Sequence, residues 1–216
     1  TWSVETLEPD TSIASHPPEL SNSASAEFTF SSDVGGAIFE CSLDGADWGN
    51  CDATSTFVDL TDDTHVLRVR ATAGGLTDPT PAAFSWTVDT TTPVLELTSA
   101  PSGTTTPEDS IFEFTVDDDD ATTSCRLDSN DEDDWLPCDS GFVPTVGDGE
   151  HTLEIRAVDP AGNVSNVESS TWNVDATHPV VAITSGPSGA INVRDVEYGF
   201  TVDDDGDAVT VQCRLH

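Results

Sequence analysis

Four of the five cysteines form two pairs whose spacing suits disulfide chemistry. Cys51 follows Cys41 by 10 residues, and Cys138 follows Cys125 by 13. A turn rich in Gly or Asp separates the members of each pair, so the pattern predicts one disulfide across each of two hairpins. Closing such a loop stabilises a domain by roughly 3 kcal/mol and implies an oxidising, extracellular setting. Buried free thiols in a reducing compartment remain the alternative, and zinc is disfavoured because Cys-x-x-Cys is absent.

Ser, His and Asp are all present, but nothing in the sequence arranges them for catalysis. Hydrolysis needs a nucleophile, a base and an orienting group within mutual reach, and no Gly-x-Ser-x-Gly turn occurs. His65 and His151 occupy matching places in Thr-His-Val-Leu-Arg-Val-Arg and Glu-His-Thr-Leu-Glu-Ile-Arg. This placement favours a structural histidine at the start of a strand. We therefore predict that the chain is not an enzyme.

Composition limits the partners and the shape of the chain. The 216 residues carry 41 acidic and 6 basic side chains, a formal charge of -35, and every basic residue is an Arg. Nucleic acid and anionic membrane surfaces are therefore poor partners. No apolar run approaches the roughly 20 residues that cross a membrane. Five Trp, nine Phe and regular apolar alternation still indicate folded units rather than disorder.

Aromatic and cysteine positions recur at intervals of 84 to 88 residues. The recurring sets are Trp2, Trp86 and Trp172, then Phe28, Phe112 and Tyr198, then Cys41, Cys125 and Cys213. Self-similarity at such a period is typical of repeat proteins. It predicts repeats of about 85 residues at 7–89 and 90–175, preceded by a last strand at 1–6 and followed by the truncated start of a third repeat at 176–216.

Each repeat contains short alternating runs separated by turn signals. In the second repeat seven strands are predicted, at 94–97, 111–116, 123–127, 135–138, 142–146, 151–158 and 171–174. About seven short strands is the count of a β-sandwich. Phe28 and Phe30, like Phe112 and Phe114, share one face of their strands, and Tyr198 and Phe200 are expected to do the same. These aromatic faces are predicted to form the cores.

Three segments together resemble the tandem immunoglobulin-like repeats of large bacterial extracellular and adhesin-type proteins. They are residues 39–51, 86–93 and 148–163, the last reading Asp-Gly-Glu-His-Thr-Leu-Glu-Ile-Arg-Ala-Val-Asp-Pro-Ala-Gly-Asn. The resemblance implies an immunoglobulin-like sandwich, export, and a spacer or adhesive role. The first repeat departs from it, because Ala-Gly-Gly-Leu-Thr-Asp at 73–78 stands where the second has Asp159-Pro-Ala-Gly-Asn163.

In such a topology the end of one repeat faces the N-terminal loops of the next, and acidic residues would meet there. At the first junction these are Asp89, Asp117, Asp118, Asp119, Asp120, Asp159 and Asn163, and at the second they are Asp175, Asp203, Asp204, Asp205 and Asp207. Close carboxylates repel unless a cation lies among them, and oxygen ligands at this density suit Ca²⁺. Calcium at the junctions is one hypothesis. A solvated, salt-adapted surface is the other.

The linkers predict the shape of the array. Five residues separate Val88 from Val94 and Val174 from Val180, a span of at most roughly 18 Å. Pro93 and Pro179 restrict these linkers. The sequence therefore predicts repeats placed end to end in the shaft of a cell-surface fibre, filament, stalk or adhesin. Its partners would be further repeats and lateral copies of the same chain. A repeated glycan- or protein-binding module, or a spacer in a secreted enzyme, remains the alternative.

Overall fold

The computed structural model describes residues 8–190, 192, 194–204 and 209–214. The predicted strand at 1–6, with Trp2, and the predicted metal ligands Asp205 and Asp207 lie outside the described residues. In the part of the chain that is described, no helix is long and apolar enough to cross a membrane. The secondary structure there is β-strand apart from two short 3-10 helices.

The N-terminal part of the chain contains nine strands. They are β1 Thr11–Ser15, β2 Leu20–Ser21, β3 Ala26–Ser32, β4 Ile38–Leu43, β5 Gly49–Cys51, β6 Thr54–Phe57, β7 Asp63–Ala73, β8 Leu76–Thr77 and β9 Ala82–Val88. One sheet has the order β1-β3-β6. The other has the order β2-β9-β7-β4-β5, with β8 against β7. Strand β2 runs parallel to β9, and the other pairs are antiparallel.

The central part repeats this plan with seven strands and two 3-10 helices. They are β10 Leu95–Ser99, β11 Thr104–Thr105, η1 Pro107–Asp109, β12 Glu113–Val116, β13 Thr122–Leu127, η2 Glu132–Asp134, β14 Leu136–Pro137, β15 Gly149–Val158 and β16 Glu168–Val174. Strands β10 and β12 form one sheet, and the other has the order β11-β16-β15-β13-β14. The predicted strand at 142–146 is wrong, because Phe142 makes only an isolated bridge with Phe112.

Each part has its own apolar core between its two sheets. In the first, Phe28 of β3 lies 5.1 Å from Trp86 of β9, measured between ring centroids. In the second, Phe112 lies 4.9 Å from Trp172 of β16. All four side chains are buried. The predicted core faces at Phe28 and Phe112 are therefore confirmed, and the repeat boundaries at 89 and 175 stay a prediction.

Among the described residues of the C-terminal part, β17 Val180–Ser185 and β18 Gly199–Asp203 pair in one antiparallel ladder. It reproduces the register shift of the β1–β3 and β10–β12 ladders, here between Ile183 and Ser185. Tyr198 and Phe200 are nevertheless 48% and 44% exposed. Their predicted burial is wrong for the described structure, because no second sheet packs over this ladder among the described residues.

Candidate functional site

The loop from Asp159 to Asn163 meets the segment that joins the two cores. The Asn163 side-chain amide donates a hydrogen bond to the backbone carbonyl of Asp89, with 2.8 Å between Nδ2 and O. Asn22, in the loop after β2, donates its side-chain amide to the Gly162 carbonyl at 3.1 Å. The loop therefore contacts both the linker and the first sandwich. These contacts form the junction site.

The loop is shaped by hydrogen bonds to its own first residue. Asp159 Oδ1 accepts from the Asn163 backbone amide at 2.8 Å, and Oδ2 accepts from Asn163 Nδ2 at 2.7 Å. Gly162 has φ +94°, a conformation that favours glycine, and a Cβ there would lie 3.5 Å from Asn22 Nδ2. The Asp-Pro-Ala-Gly-Asn sequence thus supplies a turn that presents a carbonyl and a side-chain amide to the first sandwich.

Asp159 is held as a carboxylate inside this turn. Burial by itself raises the pKa of Asp159. Hydrogen bonds from Asn163, Gly162 and Ala161 act in the opposite sense and leave the pKa below its ordinary value of 3.8. A charged acceptor strengthens the bonds that it receives, so the ionised form fixes Asn163 in the orientation that reaches Asp89.

A second acidic residue holds the linker from the side of the first sandwich. Asp62 Oδ1 accepts from the Thr90 amide at 2.9 Å and from the Thr90 hydroxyl at 2.7 Å, and Oδ2 accepts from the Thr91 hydroxyl at 2.9 Å. The bond from the Thr90 hydroxyl is the largest of the effects that lower the pKa of Asp62. We call this arrangement the linker clamp.

The same clamp recurs after the second sandwich. Asp148 accepts from the Ala176 backbone amide and, at 3.0 Å, from the Thr177 hydroxyl. Sequence reasoning missed both clamp residues. The available signal was position, because Asp62 and Asp148 each stand three residues before the repeated histidines, His65 and His151.

Several predicted metal ligands bond to nearby backbone amides instead of converging. In each case a carboxylate oxygen accepts from a backbone amide at 2.7 to 3.1 Å. The acceptor and donor pairs are Asp89 with Thr91, Asp117 with Val94, Asp118 with Asp120, and Asp175 with Thr177. Asp119 is exposed, and Asp203 and Asp204 lie at the end of β18.

Among the described residues, no group of three His, Cys, Asp or Glu side chains is placed to hold a metal ion. Asn163 nevertheless bonds both Asp159 and the backbone of Asp89, which is the meeting of loop and linker expected from the topology. At that contact the oxygens of Asp89 and Asp159 face the Asn163 amide nitrogen, so this arrangement does not fit a cation. Calcium at the junctions stays a prediction.

Asn163-Val-Ser165 has the form of a glycosylation signal, but its Asn163 side chain is not accessible on the folded surface. Asn163 is 7% exposed and its side-chain nitrogen bonds Asp89 and Asp159. A glycan needs an accessible side-chain nitrogen. In the folded junction the Asn163 side chain is therefore inaccessible to modification.

The hairpin predicted to carry each disulfide is present. Cys41 is bonded to Cys51 and Cys125 to Cys138, with Cα separations of 5.8 and 5.7 Å. These distances lie in the usual disulfide range. Cys213 is a free, exposed cysteine.

Arginine side chains stack on the partly exposed tryptophan rings of the hairpins. The Arg70 guanidinium lies 4.2 Å from the centre of the Trp48 ring. Arg126 and Arg156 lie 4.7 and 4.1 Å from the centre of the Trp135 ring. Such stacking covers the aromatic surface that a sugar ring would use. The arrangement favours hairpin packing over glycan recognition.

Comparison with solved structures gives the fold. The fibronectin(III)-like modules of Clostridium thermocellum CbhA align with 76% of this chain and 94% of their own, with a TM-score of 0.50 and 15% identity. The sandwich is fibronectin III-like. At this identity the likeness concerns the fold alone, and it agrees with the predicted all-β, immunoglobulin-like class.

Two further structures align at lower TM-scores. One comes from a 1.5-MDa bacterial ice-binding adhesin, with 18% identity, a TM-score of 0.33, and coverage of 74% of this chain and 62% of that one. The other is titin z1z2 in complex with telethonin, with 13% identity, a TM-score of 0.31, and coverage of 79% and 97%. No family model and no curated protein matches the sequence.

Proposed function

We propose that this chain is a run of immunoglobulin-like repeats, placed end to end, that forms the shaft of an extracellular fibre, filament, stalk or adhesin. The observation that carries the proposal is the junction site, where Asn163 bonds Asp89 and Asn22 bonds Gly162. A linker that is hydrogen-bonded on both sides resists bending, and resistance to bending is what a shaft requires.

The linker clamps support the same role. Asp62 and Asp148 hold the residues that follow β9 and β16 with the same kind of bond. A device repeated at the same place in successive units suits an array in which each unit contacts its neighbours. The partners of this chain are then further repeats of the same kind, with lateral contacts between copies as a second possible association.

The disulfides and the charge support an extracellular setting. Two cross-linked hairpins suit an oxidising compartment. A net charge of -35 opposes nonspecific aggregation of such a chain. The role is mechanical and non-catalytic, and calcium at the junctions is an additional proposal that this role does not require.

Small-angle X-ray scattering of the 216-residue chain tests the proposal. An end-to-end array gives a pair-distance distribution with a long tail, whereas two sandwiches packed side by side give a compact one. Replacing Asn163 by Ala removes the bond to Asp89 and should broaden the distribution. Asn130→Ala, in the exposed turn after β13, is the matched control and should leave it unchanged. A compact distribution for the unmodified chain would refute the shaft.

A further inference from the structure

The His65 ring lies between two acceptors at the edge of the first core. Its Nδ1 atom is 2.7 Å from Asp44 Oδ2, and its Nε2 atom is 2.9 Å from the Thr61 carbonyl oxygen. The ring packs 5.5 Å from Trp86, and the residue is 6% exposed. Both nitrogens are therefore satisfied within the fold.

His151 repeats this arrangement in the second sandwich. Its Nδ1 atom is 2.7 Å from Asp128 Oδ2, and its Nε2 atom is 3.0 Å from the Gly147 carbonyl oxygen. The ring lies 5.8 Å from Trp172. The two sites match in partners and in distances.

The carboxylates are fixed in direction. Asp44 and Asp128 have φ values of 52° and 51°, the left-handed region that non-glycine residues rarely adopt. Their second oxygens accept from the Val66 and Thr152 backbone amides at 2.8 and 2.7 Å. The bond to the second oxygen thus holds each carboxylate toward its histidine.

This geometry defines where the protons must be. A carbonyl oxygen only accepts, so Nε2 must carry a proton. An ionised carboxylate also only accepts, so Nδ1 must carry one as well. The arrangement is satisfied in full only by the doubly protonated imidazolium, which is paired with an ionised Asp.

The pKa shifts agree with the geometry. Burial lowers the pKa of His65, but the bonds to Asp44 and Thr61 outweigh burial and the pKa is raised above its ordinary 6.5. For His151 the bond to Asp128 is the largest cause, followed by the bond to Gly147, and the pKa is also raised.

Other charged groups surround the two rings. Near His65, Asp63 adds an attraction that also raises its pKa, and Asp47 and Arg68 line the same groove. Near Asp128, the partner of His151, lie Glu150 and Glu154. With the exception of Arg68, all of these groups favour a cation.

Each histidine is tied to the segment that holds the following linker. His65 bonds the carbonyl of Thr61, and the next residue is Asp62 of the first linker clamp. His151 bonds the carbonyl of Gly147, and the next residue is Asp148 of the second clamp. The position of each clamp carboxylate therefore depends on a histidine bond one residue away.

We propose that His65 and His151 are protonation switches that set how firmly each sandwich holds the linker after it. A neutral imidazole has a single N–H and can donate to only one of its two acceptors. The ionised carboxylate retains the Nδ1 proton because that bond is charge-assisted, so Nε2 loses its proton, and loss of its bond to Thr61 or Gly147 releases the clamp segment. This inference rests on the proposed shaft, in which it would make stiffness fall as pH rises through the raised histidine pKa.

Nuclear magnetic resonance of the 216-residue chain between pH 5 and pH 9 tests the switch. The two rings should titrate with midpoints above 6.5, with the assignments made from His65→Gln and His151→Gln. The backbone amides of Thr90 and Ala176, which donate to the clamp carboxylates, should shift with the same midpoints, because the linker responds to the ring. Histidine midpoints at or below 6.5, or linker amides that do not follow, would overturn the proposal.

Substitution of the partner carboxylates separates the switch from a general pH effect. Asp44→Asn and Asp128→Asn should lower the midpoint of the paired histidine, and the pH response of its linker should move to the same lower midpoint. Asp47→Asn, an exposed acid in the same turn as Asp44 that lines the groove without bonding the ring, should lower the His65 midpoint far less. If Asp47→Asn has the same effect as Asp44→Asn, general electrostatics accounts for the titration and the switch is wrong.

Scattering at pH 6 separates this inference from the function on which it rests. If the particle is extended but the histidines do not titrate as expected, the switch is wrong and the proposed shaft is unaffected. If the particle is compact, the proposed shaft is wrong, and the histidine midpoints then report only on the two sandwiches.

Discussion

Asn163 and Asp89 are 74 residues apart in the chain, yet the side-chain amide of one bonds the backbone carbonyl of the other at 2.8 Å. Asp159 fixes the same amide from the opposite side at 2.7 Å. One short loop of the second sandwich therefore determines the position of the linker that follows the first sandwich.

Replacing Asn163 by Ala should destabilise the second sandwich by about 1–3 kcal/mol, because Oδ2 of the buried Asp159 carboxylate loses its side-chain donor. Chemical denaturation followed by tryptophan fluorescence measures the change, with Asn130→Ala as the exposed control. A loss no larger than that of the control would show that the bond from Asn163 contributes nothing to stability.

Replacing Asp62 by Ala should free the first linker while leaving the fold intact, since its carboxylate bonds only linker residues among the described contacts. Amide relaxation should show the order parameters of Thr90 and Thr91 falling from about 0.85 toward 0.6. Asp63→Ala is the control, because Asp63 bonds the adjacent Thr64 amide rather than the linker. Unchanged order parameters in Asp62→Ala would contradict the clamp.

Removing the second disulfide through Cys125→Ser with Cys138→Ser should cost roughly 3 kcal/mol of stability, because the unfolded chain gains loop entropy. The oxidised state itself is checked by thiol titration in denaturant without reductant. One reactive thiol, from Cys213, is expected. Five reactive thiols would mean that both hairpins are reduced and would favour a reducing compartment.

Acid should weaken the hydrogen bond that holds the start of β1 at a higher pH than the corresponding bond at the start of β10. Asp78 Oδ2 accepts from the Thr11 amide at 3.0 Å, whereas the neutral Asn166 makes the corresponding bond to Leu95 at 3.0 Å. Burial raises the pKa of Asp78, but bonds from Thr11 and Thr80 outweigh it and the pKa lies below 3.8. The stability contributed by Asp78 is thus present above pH 3.8 and is lost as pH falls through the lowered pKa.

Hydrogen exchange at decreasing pH measures this difference. The protection factor of the Thr11 amide should fall in acid while that of Leu95 does not, which makes Leu95 a control within the same molecule. Parallel loss of protection at both amides would indicate general acid unfolding instead of a local effect of Asp78.

Calcium distinguishes the two explanations of junction stiffness. If Asn163 holds the first junction without a cation, the melting temperature of the chain should be the same in CaCl₂ and in NaCl at matched ionic strength. A rise specific to CaCl₂, abolished by replacing Asp117 to Asp120 with Asn, would instead establish a cation site. Salt screening alone does not produce that specificity.

Much of the fold was predictable because it depends on local patterns. Alternation placed Phe28 and Phe112 on core faces, and the spacing of Cys41 and Cys51 indicated a hairpin. Both features follow from the two-residue period of a strand and from the geometry of a tight turn. The meeting of Asn163 with Asp89 was also within reach, since it follows from which loops share one end of a sandwich.

Tertiary structure alone decided the partners of other polar groups. Asp62 and Thr90 are 28 residues apart, and Asn22 and Gly162 are 140 apart. No spacing rule links such residues. Long-range packing also decides the exposure of Tyr198 and Phe200. Their alternation predicts a core face, but whether that face is buried depends on another sheet that covers it. A strand pattern fixes which side chains share a face, and the long-range packing of other elements determines what that face meets.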